Sequence, residues 1–385
     1  MSEREQRSLR VLLVANDGFS AGHVARTIAV ARGLSRRARL REIDLRLLLA
    51  TTSEAHALLA AEPLAIVYLP APLAARRAGF SDQERRRLVH GTLDGIAVSF
   101  APDLMVVDTF PSGPHGELAG VGVGRAKRAL LRRAVPDPDA RSSDDTLTAG
   151  LREYDLAILA DDPFPCETAL PIRTVRVPPI TIGEARDENV KSREAARIEL
   201  GLPAEGRCIL VAAGGGGDED ARLRATSLAE AIARIAPGVT PVLALGPLAP
   251  LAPLAPLAML ASSVRAVCVV CAAPLQPLLA AFDGAFSPAG YNTAHELAKA
   301  GVPAALYAQP RPFDDQAARA ERFAVASLAH ALHRFDDAAI ALALDWMSKR
   351  APKDGATTLE AGGADRAADA LLELVTGVTS KAPSR

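Results

Sequence analysis

Two apolar patterns alternate along this chain. Residues 10–15, RVLLVA, hold an unbroken run of Val, Leu and Ala after one arginine. That is the pattern of a strand covered on both faces. A turn containing glycines follows. Val24, Ile28, Ala31 and Leu34 then recur at helical spacing, which puts them on one face of a helix with Gly33 near its end. Further strand candidates are 45–50 (LRLLLA), 65–69 (AIVYL), 104–108 (LMVVD) and 155–160 (DLAILA), with helical stretches between most of them. Strands alternating with helices pair in parallel, so this half predicts a doubly wound α/β sheet.

Around 175–189 (VRVPPITIGEARDEN) the texture turns to prolines and charges, which suits a hinge. A second alternating series then begins with RCILVAAGGGGDEDARL (207–223) and continues through PVLALG (241–246), VRAVCVVC (264–271), GAFSP (284–288) and AALYA (304–308). The expected organisation is a Rossmann-like domain over 1–180, a linker over 181–205, a second Rossmann-like domain over 206–355, and a closing helix and tail over 356–385. Two such sheets face each other across a cleft at their strand C-termini. The repeat LAPLAPLAPLA (248–258) has too many prolines for a helix or a central strand and reads as an extended surface loop. The amphipathic segment that starts at Gly363 reads as a helix packed on one of the domains.

Composition narrows the class. A chain of 385 residues is long enough for two to three domains at ~150 residues each. With 49% hydrophobic and 23% charged residues it is globular rather than disordered. A formal net charge of -1 gives no global attraction to nucleic acid. The start, MSEREQRSLR, holds no signal-peptide core, and no apolar run reaches the ~18 residues a bilayer span needs. The expectation is a cytoplasmic protein without a transmembrane segment, peripheral membrane contact being left open. Cys166, Cys208, Cys268 and Cys271 are too scattered for a disulfide framework, and the Cys268–Cys271 pair falls on a strand, where residues three apart face opposite sides.

Several residues could carry chemistry. In the loop NDGFSAGHVART (16–27), Gly22 lets the backbone approach a ligand and His23 falls at a helix start. A helix N-terminus disfavours the imidazolium and so suits a neutral, proton-accepting ring. Asp17, or Asp108 at the end of its strand, could orient that ring; a solvent-facing helix cap explains His23 equally well. Gly214, Gly215, Gly216 and Gly217 join a strand to a helix and offer successive amides to a diphosphate, or simply form a turn. Asp218 and Asp220 form a DxD, but acids at a helix start answer the dipole, so no metal is inferred. Thr293 and Glu296 have the spacing of a capping box; the alternative is that Glu296 accepts hydrogen bonds from a ribose diol. Asp315 with Gln316 offers an acid and an amide side by side, suited to sugar hydroxyls. The basic runs Arg85–Arg87 and 125–134 (RAKRALLRRA) read as solvated faces, an anionic acceptor or a membrane surface being the alternative.

GYNTAHELAKAGVPAAL (290–306) followed by PRPFDDQAARAERFA (310–324) resembles the donor-binding segment of GT-B glycosyltransferases. The likeness is to the N-acetylglucosaminyltransferase that completes the peptidoglycan lipid precursor, with its glycosyltransferase family 28 C-terminal domain, and to related predicted bacterial glycosyltransferases. PDLMVVDTFPSGPHGEL (102–118) and the first loop are similar to the predicted group, and the likeness runs from about residue 10 to 346. The resemblance implies a GT-B fold and inverting, metal-independent transfer from a nucleotide-sugar substrate, with UDP as the nucleotide and no cofactor. It implies that Gly290 and Thr293 approach the donor phosphates, with Gly214 to Gly217 near the diphosphate. Glu296 would take the ribose, and Asp315 and Gln316 the sugar. Gly22 and His23 would face a small-molecule, lipid-linked or natural-product acceptor, His23 acting as base. An Asp-Gln pair stands where Glu-Gln is common, and Ala289 where a second glycine often precedes Gly290. The same fold serves nucleotide-sugar hydrolases and 2-epimerases, and a non-catalytic nucleotide-sugar binding protein is the further alternative.

Overall fold

The computed structural model describes residues 8–16, 21–60, 62–133, 148–160, 170–183, 190–248, 267–270, 274–311, 314–350 and 359–377. The first part runs β1 (Leu9–Ala15), α1 (Gly22–Leu40), β2 (Leu45–Thr51), α2 (His56–Ala60), β3 (Ala65–Tyr68), α3 (Pro72–Arg77), α4 (Asp82–Phe100), β4 (Leu104–Asp108), β5 (Lys127–Arg133), β6 (Leu156–Ala160) and β7 (Thr174–Val177). The second runs α5 (Arg193–Leu200), β8 (Arg207–Ala212), α6 (Glu219–Ile235), β9 (Val239–Leu245), β10 (Val267–Val270), β11 (Gly284–Pro288), α7 (Tyr291–Lys299), β12 (Ala304–Tyr307), α8 (Gln316–Val325), β13 (Ala329–Ala331), α9 (Asp337–Ser348) and α10 (Gly363–Thr376).

The strands form a seven-stranded sheet ordered β3-β2-β1-β4-β5-β6-β7 and a six-stranded sheet ordered β10-β9-β8-β11-β12-β13. All the pairings are parallel. Both sheets are covered on both faces, as a continuous apolar run requires. Along β1, Val11, Leu13 and Ala15 enter one core cluster and Leu12 and Val14 another. Along β8, Cys208 and Leu210 face one cluster, Ile209 and Val211 the other. Successive side chains of a strand point to opposite faces, so each central strand feeds two cores.

Three local expectations need correction. Gly33 does not end α1, which continues to Leu40. A side chain at Gly33 would meet the Ala364 carbonyl oxygen at 2.6 Å, so this glycine lets α10 lie directly on α1. The basic run at 125–134 is not a solvated face: its residues Lys127–Arg133 form β5 inside the sheet, with Ala129, Leu130, Leu131 and Arg132 buried. Arg85 is likewise buried, although Arg86 and Arg87 are exposed.

Helix α10 packs on the first domain. Ala364, Ala367, Ala368, Leu371 and Leu372 of α10 are buried in the core cluster that holds α1 and β1. Asp369 accepts from Arg37 at 2.6 Å and from Arg41 at 2.7 Å. These pairs are partly exposed and each contributes under ~1 kcal/mol, whereas burying Leu371 and Leu372 contributes about 1.5–3 kcal/mol apiece. Apolar burial therefore fixes the helix. Cys268 lies in β10, while Cys166, Cys271 and residues 249–258 of the proline repeat fall outside the described residues.

Candidate active site

In each sheet the strand order reverses between two neighbours, β1 and β4 in the first and β8 and β11 in the second. Crevices at such reversals are where open α/β sheets bind ligands, because the connections leave in opposite directions there. His23 begins α1 after β1, and Asp108 ends β4. The loop with Gly214 and Gly215 follows β8, and Gly290 follows β11. One cavity of about 890 Å³ touches both reversals, lined among others by Gly22, His23, Gly214, Gly290, Thr293 and Glu296.

On the first-domain side, Asp108 is 2% exposed and accepts from His23 Nδ1 at 2.9 Å, Arg26 Nε at 2.9 Å and the Thr109 hydroxyl at 2.6 Å. Arg26 Nη2 donates to the same carboxylate at 2.5 Å and to Thr109 Oγ1 at 2.7 Å. Burial works to raise the Asp108 pKa, but the Arg26 charge and the His23 hydrogen bond outweigh it and hold the carboxyl at about 2. A carboxylate can only accept, so Nδ1 carries the ring proton and Nε2 is the ring's proton acceptor. The His23 side chain keeps 22% exposure in the cavity wall and tilts over Phe110 at 5.6 Å between ring centroids. Asp17 lies outside the described residues.

The second-domain side is built from glycines and a helix start. Gly214 and Gly216 have φ of 75° and 86°, a backbone that favours glycine. Gly214 and Gly215 line the cavity; Gly216 and Gly217 do not. Helix α7 starts after Gly290 without a side-chain cap, and Gly290, Tyr291, Asn292 and Thr293 at that start line the cavity. Thr293 and Glu296 form no capping box, because the helix begins three residues earlier than that spacing requires, with Gly290 at the N-cap. Glu296 opens into the cavity and keeps some accessible surface, while protein surrounds it elsewhere. Burial pushes its carboxyl up to about 8, against a smaller downward pull from Lys299.

The acid-amide pair divides its work. Asp315 caps α8 by accepting from the Ala318 amide at 3.0 Å and is not in the cavity wall; Asp314 and Gln316 are. Gln316 Oε1 accepts from the Gln309 amide at 3.1 Å, and its Nε2 donates to Asp314 at 3.3 Å. Asp218 caps α6 and accepts from Arg311 Nη1 at 2.8 Å, while Arg311 Nη2 donates to Gln309 Oε1 at 3.1 Å. Among the described residues no group of three or more His, Cys, Asp or Glu side chains is placed to hold a metal ion.

Sequence reasoning missed the residues that join the two sides. Arg133, at the end of β5, donates to Asp314 across the cleft, and Arg319 donates to the same carboxylate at 2.8 Å. Tyr291 lies between Arg26 at 5.9 Å and Arg319 at 5.7 Å, measured to its ring centroid. Its hydroxyl accepts from the Ile180 amide at 3.2 Å, and Asn292 Nδ2 donates to the Gly22 carbonyl at 3.3 Å. Only Arg26 left a trace in the sequence, three residues after His23 and hence on the same helix face.

The fold is the two-domain Rossmann-like GT-B fold. A UDP-N-acetylglucosamine 2-epimerase by name, from Listeria monocytogenes, superposes with a TM-score of 0.64 at 12% identity, covering 96% of each chain. The spinosyn rhamnosyltransferase SpnG, solved with thymidine diphosphate, gives 0.52 at 17% identity over 96% of this chain and 97% of its own. The spinosyn forosaminyltransferase SpnP gives 0.54 at 15% identity over 96% and 100%. No family model matches the sequence, and no curated protein matches it. Among the described residues no helix is long and apolar enough to cross a membrane.

Proposed function

We propose that this chain is a glycosyltransferase that moves a sugar from a nucleotide-sugar donor to a small-molecule acceptor, with inversion and without a metal ion. One observation carries the reading. A histidine oriented by a buried aspartate and a helix start ringed by glycines face the same cavity from opposite domains. The acceptor hydroxyl passes its proton to His23 Nε2 while its oxygen attacks the anomeric carbon. The bond from that carbon to the diphosphate oxygen breaks, and the diphosphate leaves with the electron pair. Asp108 stabilises the imidazolium that forms. The amides of α7 and the Gly214–Gly215 turn meet the departing charge, where a metal serves in other transferases. Glu296 holds the ribose, and Gln316 bounds the sugar.

UDP is the nucleotide suggested by the sequence resemblance, and thymidine diphosphate is the one bound in SpnG. A thermal-shift panel of UDP-, dTDP- and GDP-sugars separates them: a donor at 100 times its Kd adds ~2.7 kcal/mol of stability. A panel in which none raises the melting temperature overturns the reading. The likeness to a 2-epimerase supports a second reading, epimerisation or hydrolysis of the donor itself. Incubating donor alone distinguishes the two. An isomerised sugar or rapid release of free sugar favours the second reading, and intact donor favours transfer.

A further inference from the structure

Resting on the transferase reading, we propose that Arg85 and Glu117 are the recognition end of the acceptor subsite, and that they select an uncharged, largely apolar acceptor carrying a carbonyl oxygen. The pair sits in the wall of the cavity that holds His23, where Leu58, Pro72, Phe110 and Pro114 supply an apolar lining. Both side chains are 1% exposed. Arg85 is held by far less than the buried Arg26 and Arg197, each of which makes several hydrogen bonds. Arg85 Nη2 reaches Glu117 Oε1 only at 3.4 Å, and its Nε and Nη1 have no hydrogen-bond partner among the described residues. Burying charged donors without acceptors is destabilising, and a ligand oxygen at this wall would supply the missing acceptor.

The surroundings hold the pair in place. Ser81 and Glu84 form a reciprocal capping box at the start of α4, which fixes Arg85 in its first turn. Glu117 Oε2 accepts from the His115 amide at 2.7 Å, and the left-handed Gly113 packs so closely that a side chain there would meet Glu117 Oε2 at 2.8 Å. The segment from Asp108 to Glu117 therefore supplies the acid that orients His23 at one end and the acid beside Arg85 at the other. Phe110 lies between them under the His23 ring. Charge decides the ligand class. Glu117 already neutralises Arg85, so an incoming carboxylate or phosphate would lie against Glu117 at low dielectric, whereas a carbonyl oxygen would accept from the enclosed Arg85 N–H groups without that repulsion.

Three probes of similar size test this on the nucleotide-free protein by titration calorimetry: 4-hydroxyacetophenone, 4-hydroxybenzoate and 4-ethylphenol. The expected result is that 4-hydroxyacetophenone binds about tenfold more tightly than the other two. In Arg85→Met it falls to the level of 4-ethylphenol. In Glu117→Gln, which keeps the shape and removes the charge, 4-hydroxybenzoate gains about tenfold or more and overtakes 4-ethylphenol. Because Glu117→Gln leaves Arg85 in place, it carries the test if Arg85→Met does not fold. Wild-type preference for 4-hydroxybenzoate, equal binding of the three, or no binding at millimolar concentration each overturn the subsite. Donor thermal shifts are read separately, so probe failure with donor binding removes only this inference, and donor failure with probe binding removes only the transferase reading.

Discussion

At the scale of single residues, Asp108 is where burial and charge oppose each other most directly. Its ionisation in the fold stabilises the protein fully above the free carboxylate value of ~3.9, and that contribution is lost as pH falls towards about 2. Over the neutral range it is a fixed negative charge, which is what an orienting acid must be. Removing the ring it orients, in His23→Ala, is expected to leave the donor-induced thermal shift unchanged and to slow transfer by ~10²–10⁴. A variant that transfers at the wild-type rate excludes His23 as the base. Glu296 shifts the opposite way. The folded state binds its proton more tightly than the unfolded chain, so that stability is complete below ~4.3 and is lost as pH climbs through about 8. Melting temperature should thus decline for the wild type relative to Glu296→Gln between pH ~5 and pH ~8. Parallel curves for the two proteins would show that Glu296 is not held neutral.

Elements are decided by contacts as much as by propensity, and glycine shows this well. Within α1, Gly33→Ala improves helix propensity by ~1 kcal/mol, yet its methyl group would sit 2.6 Å from the Ala364 carbonyl oxygen of α10. Overpacking against backbone outweighs propensity, so denaturant titration should show a net loss of about 1–3 kcal/mol. Gly91 lies in the interior of α4, with nothing among the described residues within 4 Å of an added methyl group. The same substitution there should stabilise by ~0.5–1 kcal/mol. Equal effects at the two sites would show that α10 does not bear on α1 as described. Most strands were legible at this scale because a doubly covered sheet writes unbroken apolar runs into the sequence. β5 was not, since three of its seven residues are arginine and one is lysine. Arg132 lies buried, and Arg133 answers Asp314 of the other domain, a partner that no local pattern announces.

For the whole molecule, the question is what keeps two sheets facing one cavity. Arg133 and Asp314 meet across the cleft with 11% and 12% side-chain exposure, too enclosed to count as a screened surface pair. Burial lowers the Arg133 pKa, with Arg319 and Arg26 adding to the fall and Asp314 opposing it. Asp314 runs against its own burial: the two arginines bring its pKa below the usual range. Arg133→Met removes the only one of these groups that reaches Asp314 from the first domain among the described residues. Each sheet keeps its core, so circular dichroism should stay unchanged while small-angle X-ray scattering reports a larger radius of gyration. A scattering profile identical to that of the wild type would assign domain closure to the contacts of Tyr291 and Asn292 instead.

Local sequence was enough to specify the alternation of strands and helices, the parallel sheets that follow from it, and the glycine-bearing turn after β8. Those features rest on residues near one another in the chain, where periodicity and backbone freedom act. Contacts across the fold decided that Asp108 lies beside His23, that Asp314 rather than Asp315 faces the cavity, and that Arg85 and Glu117 meet. Each of those outcomes joins segments distant in sequence or turns on which side of a helix start a carboxylate falls. The energy of a buried charge depends on what surrounds it in space, and spacing along a chain does not carry that information.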